Sequence, residues 1–575
     1  IVTHGSDVPM NLLQSHFGRP VNHPHLLFFT IPSPCNNSFL IQGLGNPFFA
    51  SPAIPVYLET SLCFGLGGRV LDLSGRFLSL CGGYNDGPAK EDNQVKARNS
   101  VQMHTQRCAI FPQIEGFSGS KRAPCAGLIH RFGYHATEGR KHHPPKCAYP
   151  QGNDQAMDQY LASYDVLGSI AHITMLSEVG LLTADELVQL KKALVEIYQT
   201  IQDGKFTLAP GVEDIHSQVE ILLTSKLGDV GKKIHSARSR NDQVLVDIKL
   251  FLRAELIQLS ATVNDFFKLL QTKSELHKND LLPGYTHLQL AMPSSFGLWL
   301  GAYAESLVDD MTMLHAAYNV VNKNPLGSAA GYGSSFPINR TRTTELLGFE
   351  SLNFNVVYAQ MGRGKAERMT AMAMANIADT LAKLSMDACL FMNQNFGFIQ
   401  FPDSLTTGSS IMPHKKNPDV FELIRSYCNR IKALPNEIML MTTNLPSGYH
   451  RDLQLLKEHL FPAFSQLKTC IEMASLMIEN MEVKKDLLGD TKYQYLFSVE
   501  EVNKLVNAGM PFRDAYKKIG LAIEAGNFAY TREVKHTHEG SIGNLCTSQI
   551  AEQMNIIQGK MGAEKVQACL SQLLK

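Results

Sequence analysis

Ten consecutive residues, Gly408-Ser409-Ser410-Ile411-Met412-Pro413-His414-Lys415-Lys416-Asn417, gather hydroxyls and lysines that could hold an anion and move a proton. Gly408 and the paired serines make a sterically light segment. Asn417-Pro418-Asp419 reads as a helix cap, a first helical residue and an acidic second residue, so a helix is expected to start at Asn417. Lys415 then stands just before the positive end of that helix. A serine here can be held beside a cation and a helix N-terminus, surroundings that stabilise an anion. The same text also fits a lid loop and a capped helix, with Lys415 a solvated lysine. Arg240 and Asn241 offer a guanidinium fork and an amide suited to a carboxylate, with Arg238 a weaker companion. His287 follows a Gly-Tyr-Thr turn, between Thr286 and Gln289. Taken alone, such a histidine is a satisfied core residue. Tyr449, Gln454 and Lys457 stand at i, i+5 and i+8. Gln454 and Lys457 share a helical face more nearly, which places Tyr449 in the preceding turn. His142-His143 with Cys147 lacks a second ligand pair at usable spacing, so no metal site is expected there.

Long helices must position these groups. Residues 232–282 contain neither Gly nor Pro, and Leu245, Ile248, Leu252, Leu256, Leu259, Val263, Phe266 and Leu270 recur every three or four residues. That spacing is one apolar face of a long helix. Residues 365–396 are equally free of breakers. There Met369, Met372, Ala373, Ile377, Leu381, Leu384, Ala388 and Phe391 are joined by small residues on other faces, so this helix is expected to be buried nearly all round. A third periodic stretch covers 450–482, where Pro462 should kink or divide it. Helices this long exceed the usual length and suit a bundle built from several chains. Alternating strand patterns are scarce. The expected fold is mainly α: a central long-helix bundle over 238–490, flanked by smaller helical domains at 151–237 and 491–575.

Residues 1–150 are a different kind of text. They hold 14 of the 26 prolines and show no sustained periodicity. This leader reads as a disordered extension, as a translation artefact joined to the gene, or as an extra domain. The Gly65–Gly68 run within it lacks the strand–turn–helix context of a dinucleotide site, and no Walker loop occurs. Lys+Arg and Asp+Glu balance at 53 each, which gives no electrostatic footprint for nucleic acid. No apolar run is long enough to span a bilayer. The eleven scattered cysteines fit a reduced, cytoplasmic protein.

The Gly408–Asn417 string resembles the signature of the fumarase/aspartase superfamily. Ser239-Arg240-Asn241-Asp242-Gln243, Thr286-His287-Leu288-Gln289 and the Tyr449/Gln454/Lys457 set narrow the resemblance to the argininosuccinate lyase family, over about residues 153 to 575. Asp165–Leu176 and Glu213-Asp214-Ile215-His216 also fit. The resemblance implies β-elimination of argininosuccinate to arginine and fumarate through an aci-carboxylate, with no metal or organic cofactor. It implies Ser409 as the base, with Lys415 and nearby backbone N–H groups favouring its anion, and Lys415 and Asn417 holding the carboxylate. His287 would be the general acid or its relay, oriented by Glu422. Arg240 and Asn241 would bind carboxylate, with Arg238, Thr286, Gln289 and Ser410 as weaker candidates. Tyr449, Gln454 and Lys457 would hold the amino-acid end. For His216 a structural role is equally open. The resemblance further implies a homotetramer whose sites draw on three subunits. A sister lyase for adenylosuccinate, malate or aspartate, and a silent crystallin-like scaffold protein, are the competing readings.

Overall fold

The computed structural model describes residues 153–575 and, in the leader, only the backbone of three short strands. Those strands, β1 (Gly65–Leu66), β2 (Arg69–Leu71) and β3 (Phe77–Leu78), form an antiparallel meander. The His142, His143 and Cys147 group lies outside the described residues.

From Asp154 the chain is mainly helical. It opens with α1 (Asp154–Asp158), α2 (Ala162–Glu178), α3 (Ala184–Gln202), α4 (Ile215–Leu227) and the short α5 (Asp229–Lys232). The spine follows: α6 (Arg240–Leu276), the hairpin β4 (Leu281–Thr286) and β5 (Gln289–Ser295), and α7 (Phe296–Val321). Next come β6 (Lys323–Asn324), α8 (Arg340–Leu346), β7 (Ser351–Leu352), α9 (Val356–Met361) and α10 (Lys365–Met392). Strands β8 (Ile399–Gln400), β9 (Thr407–Gly408) and β10 (Lys416–Asn417) lead to α11 (Asp419–Ile431), α12 (Leu434–Met441) and α13 (Leu456–Glu479). After β11 (Glu482–Val483) the chain ends in α14 (Ser498–Asn507), α15 (Phe512–Glu524), α16 (Thr547–Gly559) and α17 (Ala563–Leu573).

All eight apolar positions read along 245–270 are buried in α6. The seven from Ile248 to Leu270 form one large core with α7, α10, α11 and α13. A second core joins α2, α3 and α4 to Leu326, Leu347 and Leu573. Pro462 does not divide α13, which begins only six residues before it, after a separate 3-10 turn at Arg451–Gln454. The all-round burial expected of 365–396 is not met within the chain. α10 leaves a stripe of Met372, Asn376, Asp379, Lys383 and Met386 exposed, because α7, α11, α12 and α13 pack mainly on its other faces.

The direction of the spine decides where the candidate residues lie. Phe251 packs on Phe461 with ring centroids 4.1 Å apart, Lys468 pairs with Glu255 at 2.9 Å, and Lys273 donates to the Glu479 carbonyl at 2.6 Å. α6 and α13 therefore run parallel. Trp299, at the start of α7, donates to Asp387 near the end of α10 at 3.0 Å. α11 runs back along α10, since Arg425 contacts Met386 and Lys432 pairs with Asp379. The starts of α6 and α13 share one end of the bundle. The β4–β5 hairpin and the β9–β10 loop share the other.

Candidate functional site

At the first end, Ser239 caps α6. Its hydroxyl accepts from Asn241 N–H at 3.2 Å, and Asp242 accepts from Ser239 N–H at 2.8 Å. The other Asp242 oxygen accepts from Gly327 and Ala329 N–H, both at 2.9 Å, which ties a glycine-rich loop to the cap. Arg240 is half-exposed. It donates to Ser217 at 2.9 Å and lies 3.4 Å from both Glu213 and Asp214. Glu213 also accepts from Arg451 at 3.1 Å, so one carboxylate joins the Arg240-Asn241 stretch to the segment carrying Tyr449 and Gln454. Tyr449 precedes the 3-10 turn, as expected, but Gln454 ends that turn and only Lys457 belongs to α13.

Arg238 and His216 point inward. The Arg238 guanidinium is buried, donates to Ser169 at 3.0 Å, and has Asp165, Asp242 and Asp247 as charged neighbours. His216 Nδ1 lies 2.9 Å from Asp165 and 3.6 Å from Asp247. Burial would raise the Asp165 carboxyl, but His216, Arg238 and the Gln243 amide outweigh it and hold Asp165 below the usual range. Asp247, buried beside that charge, is pushed well above it. Asp165, His216 and Asp247 have ligand atoms within 4.8 Å of one another, among the described residues the one group with metal-ligand spacing. The Arg238 guanidinium already supplies positive charge there, and Gln243 and His216 both occupy the same Asp165 oxygen. This cluster ties α2, α4 and α6 together.

Lys457 is buried between Asp158 and Asp154, the latter at 2.7 Å. These two aspartates are the functional candidates that sequence reading passed over. Their i, i+4 spacing, with Asp158 seven residues before Asp165, was the available signal.

At the second end, β4 and β5 pair down to Thr286 opposite Gln289. The two-residue loop between them is His287-Leu288, with φ of 54° and 59°. Two left-handed residues make a type I′ hairpin, a turn that normally takes Asn-Gly. Histidine and leucine occupy it at a conformational cost, a kind of strain found at functional sites. His287 is thus no core residue. It is exposed at a hairpin tip with Thr286, Gln289 and Leu288, which is 79% exposed.

The serine loop hangs between β9 and β10, which pair Gly408 with Lys416 and Thr407 with Asn417. This corrects the expected helix start. Asn417 is held in extended pairing, its amide donating to the Thr407 hydroxyl at 3.3 Å, and the helix begins at Asp419 after Pro418. Lys415 therefore stands farther from the helix end than the sequence suggested. Two backbone donors of the kind the resemblance implied lie at the hydroxyl. Ser409 Oγ accepts from Ile411 N–H at 3.3 Å and Met412 N–H at 3.1 Å. Donors aimed at the oxygen favour its deprotonated form. Ser410 and the Lys415 amine are exposed. Glu422, also exposed, lies in the first turns of α11, and no hydrogen bond joins it to His287 among the described residues.

Residues 140–433 match a family described as lyase. An argininosuccinate lyase of Bacteroides fragilis is 62% identical over 403 residues, covering 70% of this chain and 90% of that protein. The chain belongs to the argininosuccinate lyase family. An argininosuccinate lyase of Parabacteroides distasonis is 60% identical over 423 residues, covering 74% of this chain and 95% of that one. Among solved structures, EDDS lyase in complex with formate superimposes with a TM-score of 0.60 at 21% identity, over 75% of this chain and 94% of that one. That likeness speaks for the fold. In an argininosuccinate lyase of this architecture, one chain holds the Ser409 loop and the His287 hairpin at one end of the spine and Arg240, Gln454 and Lys457 at the other. The 28 residues of α10 span about 42 Å between those ends.

Proposed function

We infer that the protein cleaves argininosuccinate to arginine and fumarate. The observation that carries this reading is the cradled Ser409 hydroxyl in a chain 62% identical to a relative named argininosuccinate lyase. Ser409, as the alkoxide, takes the proton from the carbon next to a succinyl carboxylate. The electron pair passes into that carboxylate as an aci-carboxylate, with Lys415 and Asn417 holding the growing charge. The pair then returns to form the fumarate double bond as the carbon–nitrogen bond breaks. His287, oriented by Glu422, delivers a proton to the departing guanidino nitrogen. Arg240, Asn241, Thr286, Gln289 and Ser410 hold the carboxylates. Tyr449 and Gln454 bind the amino-acid end. Lys457 with Asp158 fixes that end through charge. Arg238 and His216 serve from beneath, by positioning α4 and α6.

The working form is a cytoplasmic homotetramer. Support comes from the exposed stripe of α10, from the bare apolar tips Leu288 and Ile411, and from the distance separating the two sets of site residues within one chain. Fumarate absorbance and arginine release from purified protein test the reading, with adenylosuccinate, malate and aspartate as competing substrates. Folded tetramer that releases no fumarate from argininosuccinate refutes it.

A further inference from the structure

The segment that carries Tyr449 and Gln454 rests on a buried base supplied by α10 and the turn before it. Arg363 and Glu367 are both nearly inaccessible and pair at 2.9 Å. The same guanidinium donates from Nη2 to the Leu453 carbonyl at 2.7 Å, inside the 3-10 turn that ends at Gln454. Glu367 is satisfied on its other oxygen by Gly364 N–H at 2.8 Å. Gly364 has φ of +78°, and a Cβ there would lie 2.6 Å from Thr442 Cγ2 and 3.8 Å from Leu453 Cδ2. Thr442 and Leu453 are the two feet of the intervening loop, and both stand on residues 363–364.

We propose that Arg363 is a positioning residue for substrate binding, setting the place of Tyr449 and Gln454 through the Leu453 carbonyl. The proposal rests on the reading that these residues bind the amino-acid end of argininosuccinate. A guanidinium suits the task because its planar fork serves a carboxylate and a carbonyl at once. A lysine reaches one or the other. Arg363 touches no reacting atom, so its loss shows in ground-state binding rather than in the chemical step.

Arg363→Met alone strands the Glu367 charge in the core and risks unfolding. The test is therefore the double variant Arg363→Met with Glu367→Gln, which removes both charges and keeps the amide oxygen for Gly364 N–H. The KM for argininosuccinate is expected to rise roughly tenfold while kcat falls less than threefold. Asp310→Asn serves as the stability control. Its carboxyl accepts from Thr380 at 2.6 Å on the α7–α10 contact and is pushed up by burial to about 6, so removing the charge is expected to change stability without moving KM, and Leu314→Ala, at a fully buried position of the same core, supplies the destabilised reference. Hydrogen exchange of the amides at 443–455 is read in the same proteins, and faster exchange confined to that segment is expected. Unchanged exchange there, or a fall in kcat with KM unchanged as in a general loss of folded enzyme, overturns the proposal. Arg363→Lys should recover part of the KM defect, and no recovery likewise counts against a tether. Should the wild-type enzyme fail to cleave argininosuccinate, the functional reading fails, and the exchange measurement still decides the tether.

Discussion

Mixing two inactive variants should restore activity, because the two halves of the proposed site lie at opposite ends of each chain. Ser409→Ala disables the loop at the far end of α10, and Gln454→Ala disables the segment at its near end. About 42 Å of helix separates those ends, far more than a substrate of two joined amino acids can bridge. If both residues serve one site, as proposed, that site must take Ser409 from one chain and Gln454 from another. In an assembly drawn at random from equal amounts of the two variants, half the sites receive an intact Ser409 and half of those an intact Gln454. Activity should recover to about a quarter of wild type. The two chains are co-expressed under different tags, doubly purified, and assayed by fumarate absorbance against each variant alone. Pairing Arg240→Ala with Gln454→Ala gives the control. Glu213 contacts Arg240 and Arg451 within one chain, so both defects fall on the same chain's contribution and no recovery is expected. Recovery no greater than the sum of the separate variants, in mixed assemblies shown to contain both tags, would refute the composite site.

Two further outcomes follow from the same geometry. Ser409→Ala should lower kcat by roughly a thousandfold, the scale of a lost general base, while substrate binding by calorimetry changes little. Activity near wild type would place the base elsewhere. His172 is fully buried, bonded through Nε2 to the Ser236 carbonyl at 2.8 Å, and burial with the nearby Arg238 charge lowers its pKa to about 3. The unfolded chain binds a proton on this group near pH 6.5 and the folded chain does not. Its stability contribution is therefore fully present above pH 6.5 and declines as pH falls toward 3, by up to about 1.4 kcal/mol per pH unit. His172→Gln should flatten the acid limb in urea titrations between pH 7.5 and 4.5, and an unchanged slope would mean that other groups set it.

The spine was legible in the sequence because a helical stripe is a local signal. Leu245 through Leu270 announce their common face without reference to any other part of the chain, and all are buried as read. The site motifs were legible as strings, yet three of their settings were not, each for a physical reason. Asn417-Pro418-Asp419 has the chemistry of a helix start, but Thr407–Gly408 pairs with Lys416–Asn417 and pulls Asn417 into extended backbone before the helix can use it. A pairing of two residues with two residues leaves no periodic trace. His287-Leu288 carries none of the glycine or asparagine that marks a type I′ turn, so the hairpin that presents the histidine could not be read from turn chemistry. Lys457 meets Asp158 across 299 positions of sequence, and nothing local to either residue predicts the meeting.

These misreadings bear directly on how the serine is activated. A helix starting at Asn417 would have offered a dipole and a neighbouring lysine, both of which weaken with distance and salt. The structure offers instead two N–H groups fixed by the turn at 411–412, with Lys415 left free in the same exposed loop. Fixed backbone donors stabilise an anion without reorganising when the charge forms. An exposed lysine amine can meet the substrate carboxylate as it becomes dianionic. The resemblance implied that Lys415 and nearby backbone N–H groups share the Ser409 anion; the two observed donors favour the backbone share and leave Lys415 for the carboxylate. On this division, Lys415→Met should cost more in stabilising the aci-carboxylate than in generating the alkoxide.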